Sequence, residues 1–105
     1  MSELLNELQE FLKALASQTR QKILFLFAGG QELTVGQVAQ EAGIGHSTAS
    51  EHLSMLKRAG ILQSRRQGKE VYYRPQRDRI MVLLQQLTNY LTNCCPPESN
   101  SDHES

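Results

Sequence analysis

Nowhere in the 105-residue chain does an uninterrupted apolar stretch exceed six residues, Ile23 to Ala28. A membrane-spanning helix takes about 20 residues, and a secretory leader takes a basic start before a longer apolar run. Neither is expected, and the expected compartment is the cytoplasm. No glycine-rich phosphate loop, nucleophile elbow or paired-acid motif occurs, so an enzyme is not expected. Cysteine is confined to two adjacent residues, Cys94 and Cys95, a spacing that fits neither a zinc ribbon nor a thioredoxin-like motif. Lysine and arginine are absent after Arg79.

What is present suits one small folded unit. Hydrophobic residues make up 39% and charged residues 21%, which is ordinary for a globular domain and wrong for a disordered one. A chain this short buries only about 60–70% of the surface its unfolded form exposes, so a partner subunit is in keeping with its size. The net charge is zero, yet the charges are segregated. Residues 46–79 carry Lys57, Arg58, Arg65, Arg66, Lys69, Arg74, Arg77 and Arg79 against only Glu51, Glu70 and Asp78. Acids outnumber bases on both sides of that stretch. A neutral protein with a basic middle can hold a polyanion on one face; a solvated surface would carry the same pattern.

The periodicity predicts five helices and one hairpin. Leu4, Leu5, Leu8, Phe11, Leu12 and Leu15 recur at helical spacing after Ser2, the expected cap. Ser17 or Thr19 caps a second helix through Phe27, stopped by Gly29-Gly30. Thr34 caps a third, Val35 to Ala42, ended by Gly43. A fourth runs from His46 to Ala59, burying Ala49, Leu53 and Leu56. The period then becomes alternating: Ile61 to Arg66 and Glu70 to Arg74 flank Gln67-Gly68-Lys69, a hairpin signature. Pro75 ends the second run, and Ile80, Leu83, Leu84, Leu87, Tyr90 and Leu91 stripe a last helix. Pro96-Pro97 cannot continue it. The expected organisation is a single domain over 1–95 and a flexible polar tail over 96–105.

Two short helices around Gly43-Ile44-Gly45 form a helix-turn-helix candidate. The second opens with small polar residues that can approach base edges, and its first N–H groups suit phosphate. The basic hairpin that follows would act as a wing, setting cations against the DNA backbone. With Gln37 on the preceding helix, the candidate DNA-binding residues are Gln37, His46, Ser47, Thr48, Ser50, Glu51, His52, Lys57, Arg58, Arg65, Arg66 and Lys69. Met55 and Met81 read as core, and His103 as a solvent-exposed tail residue. The fold class expected is mainly α with a small β-hairpin wing.

Several stretches resemble the ArsR/SmtB repressors. Leu15-Ala16-Ser17-Gln18-Thr19-Arg20-Gln21-Lys22-Ile23-Leu24 is similar to the start of that family's second helix, and Glu32 to Ala39 to its third. His46 to Leu53 with Leu56 to Leu62 resembles its recognition helix, and Gly68 to Tyr73 its wing. Glu51 stands where the family more usually has His, so operator preference does not carry over. The resemblance implies a homodimer, paired through the first and last helices, that binds double-stranded operator DNA at an imperfect palindrome and leaves it when an inducer binds. Both helices show more apolar surface than one small core absorbs, although packing on each other within one subunit would use part of it.

The inducer is read from the thiols. A disulfide between neighbours is strained, so a cytoplasmic protein keeps both reduced, and soft thiolates select thiophilic species. Incidental residues on a fraying helix end would look the same. Members of the family with a third-helix thiolate site carry Cys where this chain has Thr34 and Gly36. Zinc-type members carry His and carboxylates on the last helix, where residues 80–93 have none. Leu91-Thr92-Asn93-Cys94-Cys95 resembles the end of that helix in arsenic-responsive members. The resemblance implies trivalent arsenic, arsenite or an organoarsenical, as the inducer at Cys94 and Cys95, and no required cofactor. A third Cys common in that subset is missing here. A thiol-based redox or sulfide-responsive repressor, or a DNA binder with no inducer, are the other readings.

Overall fold

Side-chain caps fix where two of the helices start. In the computed structural model, which describes residues 2–94, α1 (Ser2–Leu15) already includes Ser2, the expected cap, as its first residue. Ser17 caps α2 (Gln18–Phe25), its hydroxyl accepting from the Arg20 backbone N–H at 3.2 Å. That helix stops two residues before Phe27. The backbone of Leu26, Phe27 and Ala28 tightens into bonds three residues back before Gly29 and Gly30 take positive φ, which glycine tolerates. Thr34 and Gln37 form a capping box at α3 (Val35–Ala42), and Gly43 ends it in the left-handed conformation at φ 69°. α4 (His46–Arg58) follows after Gly45, with Ala59 at its C-cap.

The hairpin is longer and tighter than its sequence signature. β2 (Leu62–Gln67) and β3 (Glu70–Pro75) pair antiparallel, with Gln67 opposite Glu70 and Leu62 opposite Pro75. Only Gly68 and Lys69 are left in the turn. Gly68 at φ 64° followed by a non-positive φ fits a type II′ hairpin. A third strand, β1 (Leu33–Thr34), pairs antiparallel with β3 through Leu33–Tyr73 and Thr34–Tyr72, giving the order β1-β3-β2. Pro75 closes β3, and α5 (Arg77–Cys94) begins after Gln76, whose N–H donates to the Ile61 carbonyl at 2.8 Å.

One core joins these elements. Leu8, Phe11 and Ala14 of α1 pack with Ile23, Phe27, Val38, Ala49, Leu53, Leu56, Ile61, Leu62, Tyr73 and Leu83. Among the described residues no polar or charged side chain is buried. The expected inward trio of α4, Ala49, Leu53 and Leu56, is fully buried. Met81 is not core: it is 52% exposed, while Met55 is half-buried. Val82, Leu84, Tyr90 and Leu91 of α5 are exposed as well, spread around the helix, as are Leu5 and Leu12 on α1. Leu83, between Val82 and Leu84, is the residue of α5 turned fully inward. Glu7 of α1 and Arg79 of α5 form an ion pair at 3.0 Å. No helix among the described residues is long and apolar enough to cross a membrane. Met1, Cys95, His103 and the expected tail 96–105 lie outside the described residues.

Candidate nucleic-acid interface

α3 and α4 pack against each other across Gly43-Ile44-Gly45, the helix-turn-helix arrangement the spacing predicts. Because Ala49, Leu53 and Leu56 anchor one face of α4, the helix can present only its opposite face. Ser47, Thr48 and Glu51 are exposed there and Ser50 is half-buried, while His46, three residues before Ala49 on the anchored side, is exposed as the first residue of the helix. Gly45 offers no side-chain cap, so the first N–H groups of α4 stay open to an acceptor such as phosphate. Gln37 is exposed on α3, but its Oε1 accepts from the Thr34 N–H at 2.8 Å. Its amide nitrogen alone is free to reach outward.

Lys57 and Arg58 are exposed at the other end of α4, where cations complement the helix dipole. At about 1.5 Å per residue they stand about 17 Å from the N-terminal end of α4. Arg58 lines a groove with Glu10, Lys13, Ala14 and Met55, on the α1 side of the helix. His52 also departs from the outward set. It is half-buried, and its Nδ1 lies 3.3 Å from the Arg20 guanidinium.

The wing divides its cations into free and engaged. Arg66 and Lys69 are exposed and have no ion-pair partner among the described residues. Arg65 makes a two-point pair with Glu32, Nε to Oε2 at 2.9 Å and the terminal nitrogen to Oε1 at 2.8 Å. Its remaining nitrogen donates to Gln67 Oε1 at 2.6 Å, and its plane sits 4.6 Å from the centre of the Tyr72 ring. Hydrogen bonding from Arg65 holds the Glu32 carboxyl below its ordinary pKa, and the same bond raises that of Arg65. No local pattern signals this pair, whose members are 33 residues apart. β1, too short to show a period, is what brings Glu32 beside the hairpin.

Among the described residues no three His, Cys, Asp or Glu side chains gather where they could hold a metal ion. Thr34 and Gly36 are committed to the start of α3. Cys94 is the last residue of α5, and Cys95 lies outside the described residues.

Comparison with known proteins agrees with this geometry. The family model "Bacterial regulatory protein, arsR family" matches residues 17–64. A biofilm growth-associated repressor of Agrobacterium fabrum is 32% identical over 94% of this chain and 82% of its own. Its counterpart in Xylella fastidiosa is 35% identical over 70% of this chain, and the match spans 64% of that repressor's length. An arsenic resistance transcriptional regulator of Pseudomonas putida is 40% identical over 59% of this chain and 48% of its own. Among solved structures, the homodimeric winged helix-turn-helix DNA-binding domain of a Mycobacterium bovis protein superposes with a TM-score of 0.69. It shares 33% identity and covers 87% of this chain and 84% of that one.

Proposed function

The chain belongs to the arsR family of bacterial regulatory proteins, and from that premise we propose that it is a cytoplasmic, homodimeric transcriptional repressor that binds double-stranded operator DNA. The observation that carries the reading is the outer face of α4: small polar side chains at an uncapped helix start, supported by the free cations Arg66 and Lys69 on the hairpin. The helix start enters the major groove and reads base edges, while the wing cations neutralise phosphates. Exposed apolar side chains on α1 and α5 support pairing of two copies through those helices. A dimer reads two half-sites about one DNA turn apart.

The inducer in this proposal is a trivalent arsenical bound by the thiolates of Cys94 and Cys95. The elimination of other donors supports it, since α3 offers Thr34 and Gly36 and residues 80–93 offer no His, Asp or Glu. Two thiolates complete the coordination of a mono-organic arsenical, which has two exchangeable positions. Inorganic As(III) takes a third ligand from water, hydroxide, a buffer thiol or the partner subunit. A second reading, a thiol-reactive redox or sulfide sensor of the same fold, uses the same two thiols, although a redox role normally takes a resolving Cys at a spacing that closes an unstrained disulfide, and this sequence has no further Cys.

Fluorescence anisotropy of the purified chain on its own upstream DNA tests both. Arsenite, methylarsenite, Zn(II), Cd(II), sulfide and peroxide are titrated separately. Release by the arsenicals supports the first reading; release by peroxide or sulfide alone replaces it with the second.

A further inference from the structure

Arg20, on α2, divides its guanidinium between two other helices, α1 and α4. Its own backbone is fixed by the Ser17 cap at the start of α2. Nε donates to the Ala14 carbonyl at 2.8 Å and one terminal nitrogen to the Lys13 carbonyl at 3.0 Å. Those carbonyls belong to the last turn of α1, where that of Lys13 also accepts from the Ala16 N–H at 3.2 Å, so Arg20 adds donors at the C-terminal end of that helix and complements its dipole. The other terminal nitrogen meets His52 Nδ1 and Met55 Sδ of α4, both at 3.3 Å. Residues 52 and 55 are one turn apart on the same face of the helix. Arginine can only donate, so this contact is a hydrogen bond when His52 Nδ1 accepts, which requires the neutral ring to carry its proton on Nε2.

We propose that Arg20 is a positioning residue that couples the subunit interface to the recognition helix. Its planar fork ties the end of α1 to the middle of α4, so neither helix shifts against the other without breaking bonds on both. This rests on the proposed dimeric DNA-binding function, in which α1 lies at the interface and α4 in the groove. His52 then serves through Nδ1, facing Arg20, and makes no contact with DNA through Nε2.

Three variants of the full chain test the idea. Arg20→Lys keeps the charge and loses the fork. His52→Asn keeps an acceptor near the place of Nδ1, whereas His52→Gln keeps a polar group near Nε2 instead. Affinity for the upstream DNA is expected to fall about tenfold in Arg20→Lys and in His52→Gln, as for one lost bond to a charged group. His52→Asn stays within about threefold of wild type by the same reasoning. The salt slope, the affinity for random DNA and dimerisation remain as in wild type, because no phosphate contact has been removed. The Arg20→Lys, His52→Gln double variant loses no more than either alone. Long-range 1H–15N spectra of the free protein show His52 protonated on Nε2 in its neutral form. A ring protonated on Nδ1, or a wild-type-like His52→Gln beside a defective His52→Asn, overturns the proposal. If wild type ignores the upstream DNA, the functional reading fails by itself. The ring spectrum and a double-mutant cycle in thermal unfolding then still decide whether Arg20 and His52 are coupled.

Discussion

Arg65 and Glu32 close against each other at both carboxylate oxygens, 2.9 and 2.8 Å, across the edge where the hairpin meets the segment before α3. Side-chain exposures of 49% and 30% make the pair a surface one, of small worth to stability. Its importance lies in charge: of the hairpin's four cations, Arg65, Arg66, Lys69 and Arg74, one is already paired with an acid.

That pairing separates Arg65 from its neighbours in how DNA binding responds to salt. Arg65→Ala is expected to leave the salt slope nearly unchanged. Glu32→Gln removes an anion and frees a cation, so binding to random DNA tightens and the slope steepens by about one ion. Anisotropy between 50 and 200 mM salt, about the range where such slopes are read, decides it. A slope that drops on Arg65→Ala would mean that DNA takes Arg65 away from Glu32.

Arg66 and Lys69, exposed and without an ion-pair partner among the described residues, are the wing cations proposed to meet phosphate. Each alanine substitution is expected to weaken upstream and random DNA by similar factors and to lower the salt slope by about 0.9. Changes at Ser47 or Ser50 instead alter which sequence is preferred, since they stand at the base-reading end of α4. Competition between cognate and random duplexes distinguishes the two effects.

Acid acts on the same pair. The Glu32 carboxyl has its folded pKa depressed by the Arg65 hydrogen bond. Its contribution to stability is therefore complete above the unfolded-state pKa and is lost as pH falls through the lower folded value. Arg65, shifted upward, stays charged throughout. Thermal unfolding of wild type and Glu32→Gln should differ slightly at neutral pH and converge in acid. A difference that persists after Glu32 is protonated would assign it to another interaction.

Neighbouring leucines on α5 answer different questions. Leu83 is fully buried, and truncation to Ala is expected to cost about 2–5 kcal/mol of stability. Leu84 is 42% exposed, so Leu84→Glu leaves the subunit fold nearly intact while placing charge in the proposed interface. Sedimentation should show Leu84→Glu as a folded monomer. A dimer undisturbed by that substitution would move the interface away from α5.

How far these features were legible depended on whether their cause was local. Thr34, Gly43 and the inward Ala49-Leu53-Leu56 stripe act through residues within one or two turns, and the third and fourth helices are found where the pattern puts them. The hairpin was visible in Gly68 and in the alternation around it, though Gln67 joins β2 rather than the turn. β1 was not visible, because two residues carry no period and their partners are Tyr72 and Tyr73, far along the chain. The same distance hid the Glu32 pairing of Arg65 and the Arg20 contact of His52. Charge and polarity marked those residues as outward-facing. Only tertiary packing decides whether a charged side chain meets solvent, DNA or another side chain.

Release by inducer must cross that packing. Cys94 ends α5, the helix assigned to the interface, and α4 is a separate element. On the proposed function, an arsenical at Cys94 and Cys95 would act by favouring a dimer geometry in which two α4 helices no longer match successive major grooves. It shifts that equilibrium only by its difference in affinity for the two geometries. By reciprocity, DNA weakens arsenical binding by the factor with which the arsenical weakens DNA binding. Cys94→Ser and Cys95→Ser are each expected to keep dimerisation and DNA affinity while losing release. Methylarsenite or a phenyl arsenical should act at least as well as arsenite on wild type, since two thiolates complete its coordination. Anisotropy titrations of wild type and both variants with each species provide the test. If either single variant still dissociates at the wild-type arsenical concentration, the adjacent thiols are not the sensor.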